Sequence, residues 1–402
     1  MLRWREGKNV TVNKVQWEKS DEFLSVIEVF CNDWFGPGMY AEELEKHLQG
    51  FLGITYAQLV NSGSSALLLA VQALKHEGRL KDGDKILHPA CTFPTSCNPA
   101  LQSGLQLVLV DVEEGTYNLD MEAARAAFEE HDIAGAIIPH LLGNSPKMDE
   151  LVELLDGRPL IEDSCDTLGS MYDGKYTGHY GDMTAFSFYG SHHITTGGVG
   201  GALVTNNRDY YDLVNSMTFW GRWWKDVPDD VYEKFMRRYH YGTIGYDMQI
   251  TEIQAAFGLA QIRKLEKWNE ERACTFDVID EFMQQFSDFF VLPKSHPKAK
   301  PSWFGYPLLI KDDRLHKYIP FTKKDITTYL IGRGIEIRPL FVGNLLLHPA
   351  YREREDIYVS GALDNSNANY SRAFFLPSWG MPQAHLDKLL EALSDFFKMY
   401  DY

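Results

Sequence analysis

The sequence contains 402 residues, 45% of them hydrophobic and 24% charged, and it carries a formal net charge of −17 at pH 7. A chain of this length can bury a large core and predicts about two domains. Its acidity argues against a nucleic-acid partner, because an acidic surface repels phosphate chains. The apolar runs are shorter than the roughly 18 residues of a membrane span, and the N-terminal stretch has no signal-peptide core. We therefore expect a cytoplasmic protein with no membrane contact.

Seven strand-like runs occur before residue 210 and alternate with helical patterns such as SSALLLAVQALKHEG. Several runs are continuously apolar, which is typical of a sheet buried on both faces. The alternation predicts an α/β fold with a largely parallel sheet. The last two runs are only eleven residues apart with no helix between them, so we expect one edge to differ. The predicted strands are Tyr56–Asn61, Lys85–His88, Leu105–Val112, Ala134–His140, Pro159–Asp163, Thr184–Tyr189 and Gly201–Thr205.

The later part of the chain has a different pattern. A helix is predicted at roughly Thr251–Glu271, and a smaller α+β unit follows from about Thr275, with FGYPLLI and GIEIRPLF as strands. We therefore divide the chain into a large domain, residues 1–270 including the N-terminal segment, and a small C-terminal domain, residues 271–402.

The five cysteines are scattered and form no CxxC or CxC motif. This spacing predicts neither a zinc site nor an iron–sulfur cluster. We expect reduced thiols and no metal. The cysteines are Cys31, Cys91, Cys97, Cys165 and Cys274.

Two segments carry residues suited to binding a phosphate. In VNSGSSALLLA, Gly63 permits a tight turn after a strand, and Ser64 and Ser65 open a helix. The free N–H groups and the dipole of a helix N-terminus attract anions. A serine cap without any ligand would give the same pattern. In the later strand FSFY, Ser187 alternates with the phenylalanines and can also reach a phosphate.

Two further segments carry residues suited to a planar ring. Phe93 follows a strand among prolines that stiffen its loop, so it could cover one face of a flat cofactor. Asp163 ends an apolar strand, where α/β proteins bind ligands, and could pair with a protonated ring nitrogen. Asp166 follows three residues later. Ordinary packing of Phe93 and a helix cap by the aspartates are the alternatives.

In combination these segments resemble the pyridoxal 5′-phosphate enzymes with the aspartate-aminotransferase fold, and in particular the DegT/DnrJ/EryC1/StrS family of sugar aminotransferases and dehydratases. The resemblance covers nearly the whole chain, including NSGSSA, ACTF, EDSCDTLG, GDMTAFSFY, GGALVTN and GYDMQITEIQAAFGLAQI. It implies fold type I, with a mostly parallel seven-stranded sheet and a smaller C-terminal α+β domain. It also implies pyridoxal or pyridoxamine 5′-phosphate as cofactor, and a homodimer with both active sites at the interface.

The resemblance also implies roles for individual residues. The family's aminotransferases carry a lysine bonded to the cofactor at the position of His192 in SFYGSHH. Because imidazole forms no stable Schiff base, the cofactor would be held without a covalent bond, and His192, titrating near neutrality, would be the catalytic acid or base. His193 is a candidate for substrate binding, although packing or orientation suits it better. The implied cofactor-binding residues are Gly63, Ser64, Ser65, Phe93, Asp163, Asp166, Ser187 and Asp247.

A histidine in place of the lysine resembles the deoxysugar 3-dehydratases of this family. The segment RPLFVGNLLLHPAY also resembles theirs, and it makes Arg338 and Asn344 candidates for substrate binding. One dehydratase type carries an iron–sulfur cluster on cysteines after a Trp-Gly-Arg segment. This chain has WGRWWKDVPDD there, with Trp223 and Trp224 instead of cysteines, so no cluster is expected.

Two residues depart from the family pattern. Asp247 stands where an asparagine is expected to reach the cofactor phosphate of the neighbouring subunit, and a carboxylate there would place like charges together. Leu67 stands where the dehydratases usually have asparagine. The geometry of the cofactor or the substrate is therefore expected to differ.

Three functions are compatible with these observations. The main hypothesis is a pyridoxal-phosphate-dependent 3-dehydratase of an activated, nucleotide-linked 4-keto sugar, with glutamate as amine donor and His192 as base. The alternative is a sugar aminotransferase-like enzyme that acts on a nucleoside-linked or nucleotide-linked keto sugar. A ligand-binding paralogue without activity is the third, and the presence of Phe93, Asp163 and Ser187 argues against it.

Overall fold

The computed structural model describes residues 9–11, 19–223, 230–311 and 319–402. Within them, the strands are β1 Tyr56–Val60, β2 Lys85–Pro89, β3 Gln106–Val110, β4 Ile133–Pro139, β5 Leu160–Asp163, β6 Met171–Tyr172, β7 Lys175–Tyr176, β8 Met183–Ser187, β9 Gly201–Thr205, β10 Phe290–Val291, β11 Ala299–Lys300, β12 Gly305–Ile310, β13 Arg338–Pro339, β14 Ile357–Val359 and β15 Ala373–Pro377. The α-helices are α1 Ser20–Cys31, α2 Met39–Leu52, α3 Gly63–His76, α4 Pro94–Gln102, α5 Met121–Glu130, α6 Met148–Leu155, α7 Arg208–Thr218, α8 Val231–Met236, α9 Glu252–Ile262, α10 Leu265–Gln284, α11 Lys323–Gly332, α12 Asp364–Arg372 and α13 Gln383–Lys398.

A central sheet of eight strands has the order β1-β9-β8-β5-β4-β2-β3-β14. All seven predicted strands belong to it, which confirms the α/β prediction. Only β9 runs antiparallel to its neighbours, β1 and β8, because the connection from β8 to β9 contains no helix. The eighth strand, β14, comes from the C-terminal part of the chain and pairs in parallel with β3. It covers an edge that would otherwise expose unpaired backbone groups.

The two faces of the central sheet contribute to separate hydrophobic clusters. Leu107 and Leu109 of β3 pack in the cluster that contains α3, whereas Val108 and Val110 pack with α5 and α6 on the other face. Alternate residues of a strand point to opposite faces, so a sheet covered on both sides needs apolar residues at every position. This explains the continuous apolar runs in the sequence.

A second, antiparallel sheet has the order β10-β12-β15-β13. It contributes Leu308 and Phe374 to a cluster that also contains Phe396 and Phe397 of α13. Helix α10 crosses the predicted boundary after residue 270 without a break, so the division at that position stays a prediction. Among the described residues, no helix combines the length and the apolar sequence that crossing a bilayer requires.

Candidate active site

Gly63 opens helix α3 directly against the end of β8. A Cβ atom on Gly63 would lie 2.7 Å from Sγ of Cys165 and 2.8 Å from Cβ of Ser187, so only glycine permits this contact. The contact brings the first N–H groups of α3 to the side chain of Ser187. Because the first N–H groups of a helix have no partner within it, they attract an anion. The predicted phosphate turn and Ser187 are therefore neighbours.

The serines around this turn have different environments. Ser62, which the sequence analysis did not select, caps α3 by accepting a hydrogen bond from the N–H of Ser65 at 3.1 Å. The Ser65 hydroxyl donates to Oδ1 of Asn61 at 2.6 Å, and Ser64 is exposed. The half-buried Ser187 accepts a hydrogen bond through Oγ from the N–H of Tyr189 at 3.3 Å. Ser64 and Ser187 are thus the more accessible hydroxyls at the turn.

Asp163 and Phe93 are linked through helix α4. Asp163 is 7% exposed at the end of β5, and it accepts hydrogen bonds from the hydroxyl of Ser96 and from the N–H of Cys165. Ser96 lies in α4, and Phe93 is the residue that precedes this helix. The Phe93 ring is 51% exposed, with its centroid 6.1 Å from that of Phe341. A fixed carboxylate and an accessible aromatic ring therefore stand at the carboxyl edge of the sheet.

His192 lies in the loop after β8, and its side chain is 13% exposed. Its Nδ1 atom is 3.3 Å from Oδ1 of Asp166, and its ring centroid is 5.3 Å from that of Phe304. Burial lowers the pKa of His192 to about 4, whereas the sequence analysis expected titration near neutrality. The imidazole is therefore uncharged at neutral pH, which a base requires before it accepts a proton.

His193 is buried and bonded within the protein. Its Nε2 atom lies 2.9 Å from the carbonyl oxygen of Ser302, to which it can donate a hydrogen bond. Burial holds the pKa of His193 well below its usual range. These contacts agree with a packing or orienting role for His193, which the sequence favoured over substrate binding. Its contact with a substrate stays a prediction.

Arg272 is a site residue that the sequence analysis missed. It is 3% exposed on α10, with Nη1 3.5 Å from the carbonyl oxygens of both Trp303 and Phe304. Its positive charge lowers the pKa values of both His192 and His193. The signal was a charged residue inside an apolar helical stripe, where a charge is rarely buried without a purpose.

Asp166 is buried between two groups of opposite charge. Burial and, to a lesser degree, the negative Asp163 raise the pKa of its carboxyl group to about 8, and Arg272 opposes both. Asp166 also contacts His192, so the residue that we expected at the cofactor lies against the predicted base.

The segment that contains Arg338 and Asn344 lies beside the Phe93 loop. The N–H of Leu345 donates to the carbonyl of Ala90 at 2.9 Å. Arg338 is exposed and donates through Nε to Glu336. Both amide atoms of the buried Asn344 are bonded within the protein, Nδ2 to Asn367 and Oδ1 to the N–H of Leu346. Their substrate-binding roles stay predictions.

The two departures from the family pattern lie in different places. Asp247 is exposed and accepts a hydrogen bond from Nε2 of Gln249 at 2.9 Å. The carbonyl of the adjacent Met248 accepts a hydrogen bond from the N–H of Asn61, so the segment runs beside the phosphate turn of its own chain. Leu67 is buried in the core packing of α3.

The cysteines are all free of disulfides, with two exposed, two buried and Cys165 half-buried. Within residues 9–11, 19–223, 230–311 and 319–402, no group of three or more His, Cys, Asp or Glu side chains is arranged to hold a metal. Trp224, one of the two tryptophans that replace cluster cysteines, lies outside the described residues.

The described groups fit a phosphorylated pyridine ring. The close contact at Gly63 brings the first N–H groups of α3 beside Ser187, so a phosphate could bond to both. Asp163 places a carboxylate at a strand end, where it accepts hydrogen bonds from the Ser96 hydroxyl and the N–H of Cys165. The N–H groups of α3 would match the phosphate, Asp163 the ring nitrogen and Phe93 the ring face.

The fold and these groups place the protein in the class of fold type I enzymes that depend on pyridoxal phosphate. More specifically, the chain belongs to the DegT/DnrJ/EryC1/StrS aminotransferase family, whose model matches residues 16–394. Both findings confirm the resemblance drawn from the sequence.

Three similar proteins carry informative names. The chain is 34% identical to the lipopolysaccharide biosynthesis protein RfbH of Salmonella typhimurium, over 94% of this chain and 89% of the relative. It is also 34% identical to the dTDP-4-dehydro-2,6-dideoxy-D-glucose 3-dehydratase of Saccharopolyspora spinosa, over 94% and 84% of the two chains. A crystal structure of GDP-4-keto-6-deoxymannose-3-dehydratase, with a trapped PLP–glutamate geminal diamine, matches with a TM-score of 0.85 and 27% identity over 96% of this chain and 100% of that one.

Proposed function

We propose that the protein is a 3-dehydratase of a nucleotide-linked 4-keto sugar and uses pyridoxal and pyridoxamine 5′-phosphate with glutamate as amine donor. The observation that carries this proposal is the buried, uncharged imidazole of His192 after β8, where the family's aminotransferases have a lysine. The 3-dehydratases among the similar proteins support it. The glutamate adduct in the similar crystal structure supports the amine donor.

When bound, the cofactor supplies a cationic ring that withdraws electrons from the sugar as its C3 hydroxyl leaves. The N–H groups of α3 and the hydroxyl of Ser187 would hold its phosphate, and Phe93 would cover its ring. Asp163 keeps the proton on the ring nitrogen by its negative charge. His192 removes a proton as the base and then returns it to water or product as the acid.

The same proposal includes a homodimer. The outer face of α1 exposes several large apolar side chains, and a contiguous patch of this kind is typical of a protein–protein interface. The exposed Asp247 is the residue that the family resemblance places near the partner's cofactor. The exposed side chains of α1 are Phe23, Leu24, Ile27 and Phe30.

The decisive experiment incubates the protein with pyridoxal phosphate, glutamate and either a GDP-linked or a dTDP-linked 4-keto-6-deoxy sugar. A dehydratase releases ammonia and a 3-deoxy sugar in equal amounts, together with 2-oxoglutarate from glutamate. Omission of glutamate should stop turnover. An amino sugar without ammonia would instead identify an aminotransferase, the alternative that the family name supports.

A further inference from the structure

Three ionisable groups from separate elements, one buried and two mostly buried, come together at the proposed active site. His192 follows β8, Asp166 follows β5 and Arg272 projects from α10. The His192 and Asp166 side chains are only 13% and 15% exposed, and Arg272 is 3% exposed. Burying these groups costs free energy unless each has a partner, so their association calls for an explanation.

The charge of Arg272 is matched by Asp166. A buried guanidinium is stabilised by an anion, and Asp166 raises the pKa of Arg272 while Arg272 lowers that of Asp166. Burial lowers the pKa of Arg272 only to about 10, so it stays charged at neutral pH. Arg272 therefore favours the ionised form of the carboxyl group that contacts His192.

The Nδ1 atom of His192 is buried and, within the described part of the chain, has no well-aligned hydrogen-bond partner. It nevertheless lies 3.3 Å from Oδ1 of Asp166, so a small rotation would complete a hydrogen bond. Since Nδ1 is inaccessible, a base function of His192 toward a bound ligand must use Nε2. In a neutral imidazole only one nitrogen carries the proton, and the partner of the other nitrogen decides which one.

We propose that Asp166 is a positioning residue for His192: its ionised carboxylate accepts the Nδ1 proton and leaves Nε2 unprotonated, and Arg272 favours this ionised form over the protonated one. This inference rests on the proposed function, because it assigns a partner to the proposed base. It also assigns Asp166 to the positioning of the base, whereas the sequence had suggested that Asp166 binds the cofactor.

The proton on Asp166 then controls the tautomer of His192. A protonated carboxyl group donates to Nδ1 and leaves the ring proton on Nε2, which blocks the base. An ionised carboxylate accepts from Nδ1 and frees Nε2. The charged or titratable groups that face the pair are Arg272, Asp163, Cys165 and His193.

The test follows the two ring nitrogens of His192 by NMR in the full-length protein without cofactor, with isotopically labelled histidine. The His192→Asn variant identifies the signals. In the wild type, the ring proton should move from Nε2 to Nδ1 as the pH rises through the titration of Asp166. In Asp166→Asn the amide donates to Nδ1, so the proton should stay on Nε2 throughout the pH range in which the imidazole is neutral, above about pH 4. A wild-type pattern in Asp166→Asn overturns the proposal.

Arg272→Gln provides a second, independent test and serves if Asp166→Asn does not fold. Loss of the positive charge should move the midpoint of the tautomer change upward by on the order of one pH unit, whereas Arg272→Lys should restore it toward the wild type. The His140 signals serve as a control and should not change. An unchanged midpoint in Arg272→Gln contradicts the role of Arg272.

The kinetic counterpart, measured above pH 8 where Asp166 is ionised in the wild type, is a fall in kcat of roughly a hundredfold or more in Asp166→Asn, with KM little changed, because the variant holds the wrong tautomer. A wild-type kcat in this variant would overturn the positioning role. Failure of the proposed function would appear differently, as a wild-type protein that releases no deoxysugar while the tautomer still depends on Asp166.

Discussion

Within the described residues, the His140–Glu162 and His192–Asp166 pairs both bring a histidine against a carboxyl group, and they differ in burial, distance and hydrogen bonding. His140 and Glu162 are fully buried, with Nε2 2.8 Å from Oε2. His192 and Asp166 are 3.3 Å apart, and both side chains are slightly exposed. Glu162 lies in β5 and Asp166 comes three residues after the end of that strand, yet only Asp166 contacts the proposed base.

The His140–Glu162 pair is closed because every oxygen of the carboxylate is occupied. Glu162 accepts hydrogen bonds from the N–H groups of Gly178, Tyr180 and Gly181. Burial alone would raise the pKa of Glu162, but His140 and these N–H groups outweigh it and lower the pKa. The pair therefore anchors the 178–181 loop and has no capacity left for a ligand.

We call the His192–Asp166 pair open because the surrounding residues leave part of its hydrogen-bonding capacity unused. Burial raises the pKa of Asp166 to about 8, and Nδ1 of His192 has no aligned partner within the described residues. Perturbed groups of this kind concentrate at functional sites, where catalysis uses them. Saturation of hydrogen bonds, more than burial, therefore separates the structural pair from the one at the candidate site.

The largest effect on stability is expected when the closed His140–Glu162 pair is broken. Glu162→Gln should lower the free energy of unfolding by about 3 kcal/mol, because it removes the charge that His140 and the loop N–H groups require. Urea unfolding followed by circular dichroism measures this loss. Asp166→Asn is the matched control from the open pair and should not lower the free energy of unfolding at pH 7, because it replaces a carboxyl group whose ionisation is disfavoured by burial with a neutral amide. Equal losses in the two variants would contradict the comparison.

The next effect concerns activity and the open pair. His192→Asn should lower the dehydration rate on the order of a hundredfold or more, because the general base is lost. His193→Asn, whose wild-type imidazole is bonded to Ser302, should cost less. Rates of deoxysugar release from both variants decide this, and a more severe loss in His193→Asn would show that the wrong histidine was assigned.

A companion variant separates the position of His192 from its chemistry. His192→Lys restores an amine where the family's aminotransferases have one, so it should bond covalently to pyridoxal phosphate and retain it through dialysis. Borohydride reduction and mass analysis of the peptide around position 192 detect the bond. Its absence would mean that this side chain does not point at the cofactor.

The sequence predicted the sheet, its order of helices and strands, and the phosphate turn because these depend on local patterns. Apolar runs such as LVLV mark strands covered on both faces, and Gly63 marks a close approach. It did not predict β14, whose three residues pair with a strand about 250 residues earlier in the chain. Arg272 was missed for the same reason, since its partners come from distant segments.

A smaller effect is expected from Gly63→Ala, which tests whether the phosphate turn, like the open pair, serves the candidate active site. The added Cβ would press on Cys165 and Ser187 and displace the start of α3, which should cost about 1–3 kcal/mol of stability. It should also weaken retention of pyridoxal phosphate, measured by equilibrium dialysis. Gly50→Ala is the matched control, because a Cβ there meets no atom within 4 Å, and it should be neutral or slightly stabilising.

The pH dependence of stability also separates the two pairs, which should respond with opposite sign. The pKa of Asp166 is raised from 3.8 to about 8 in the folded state, so its contribution to stability is full below pH 3.8 and is lost as the pH rises through about 8. The pKa of Glu162 is lowered from 4.5, so its contribution is present above pH 4.5 and is lost as the pH falls. Compared with wild type at each pH, Asp166→Asn should therefore gain relative stability between pH 4 and 8. Glu162→Gln should lose less relative to wild type below pH 4.5 than at pH 7. Urea unfolding of both variants across this range measures the two trends, and parallel trends would remove the electrostatic distinction between the pairs.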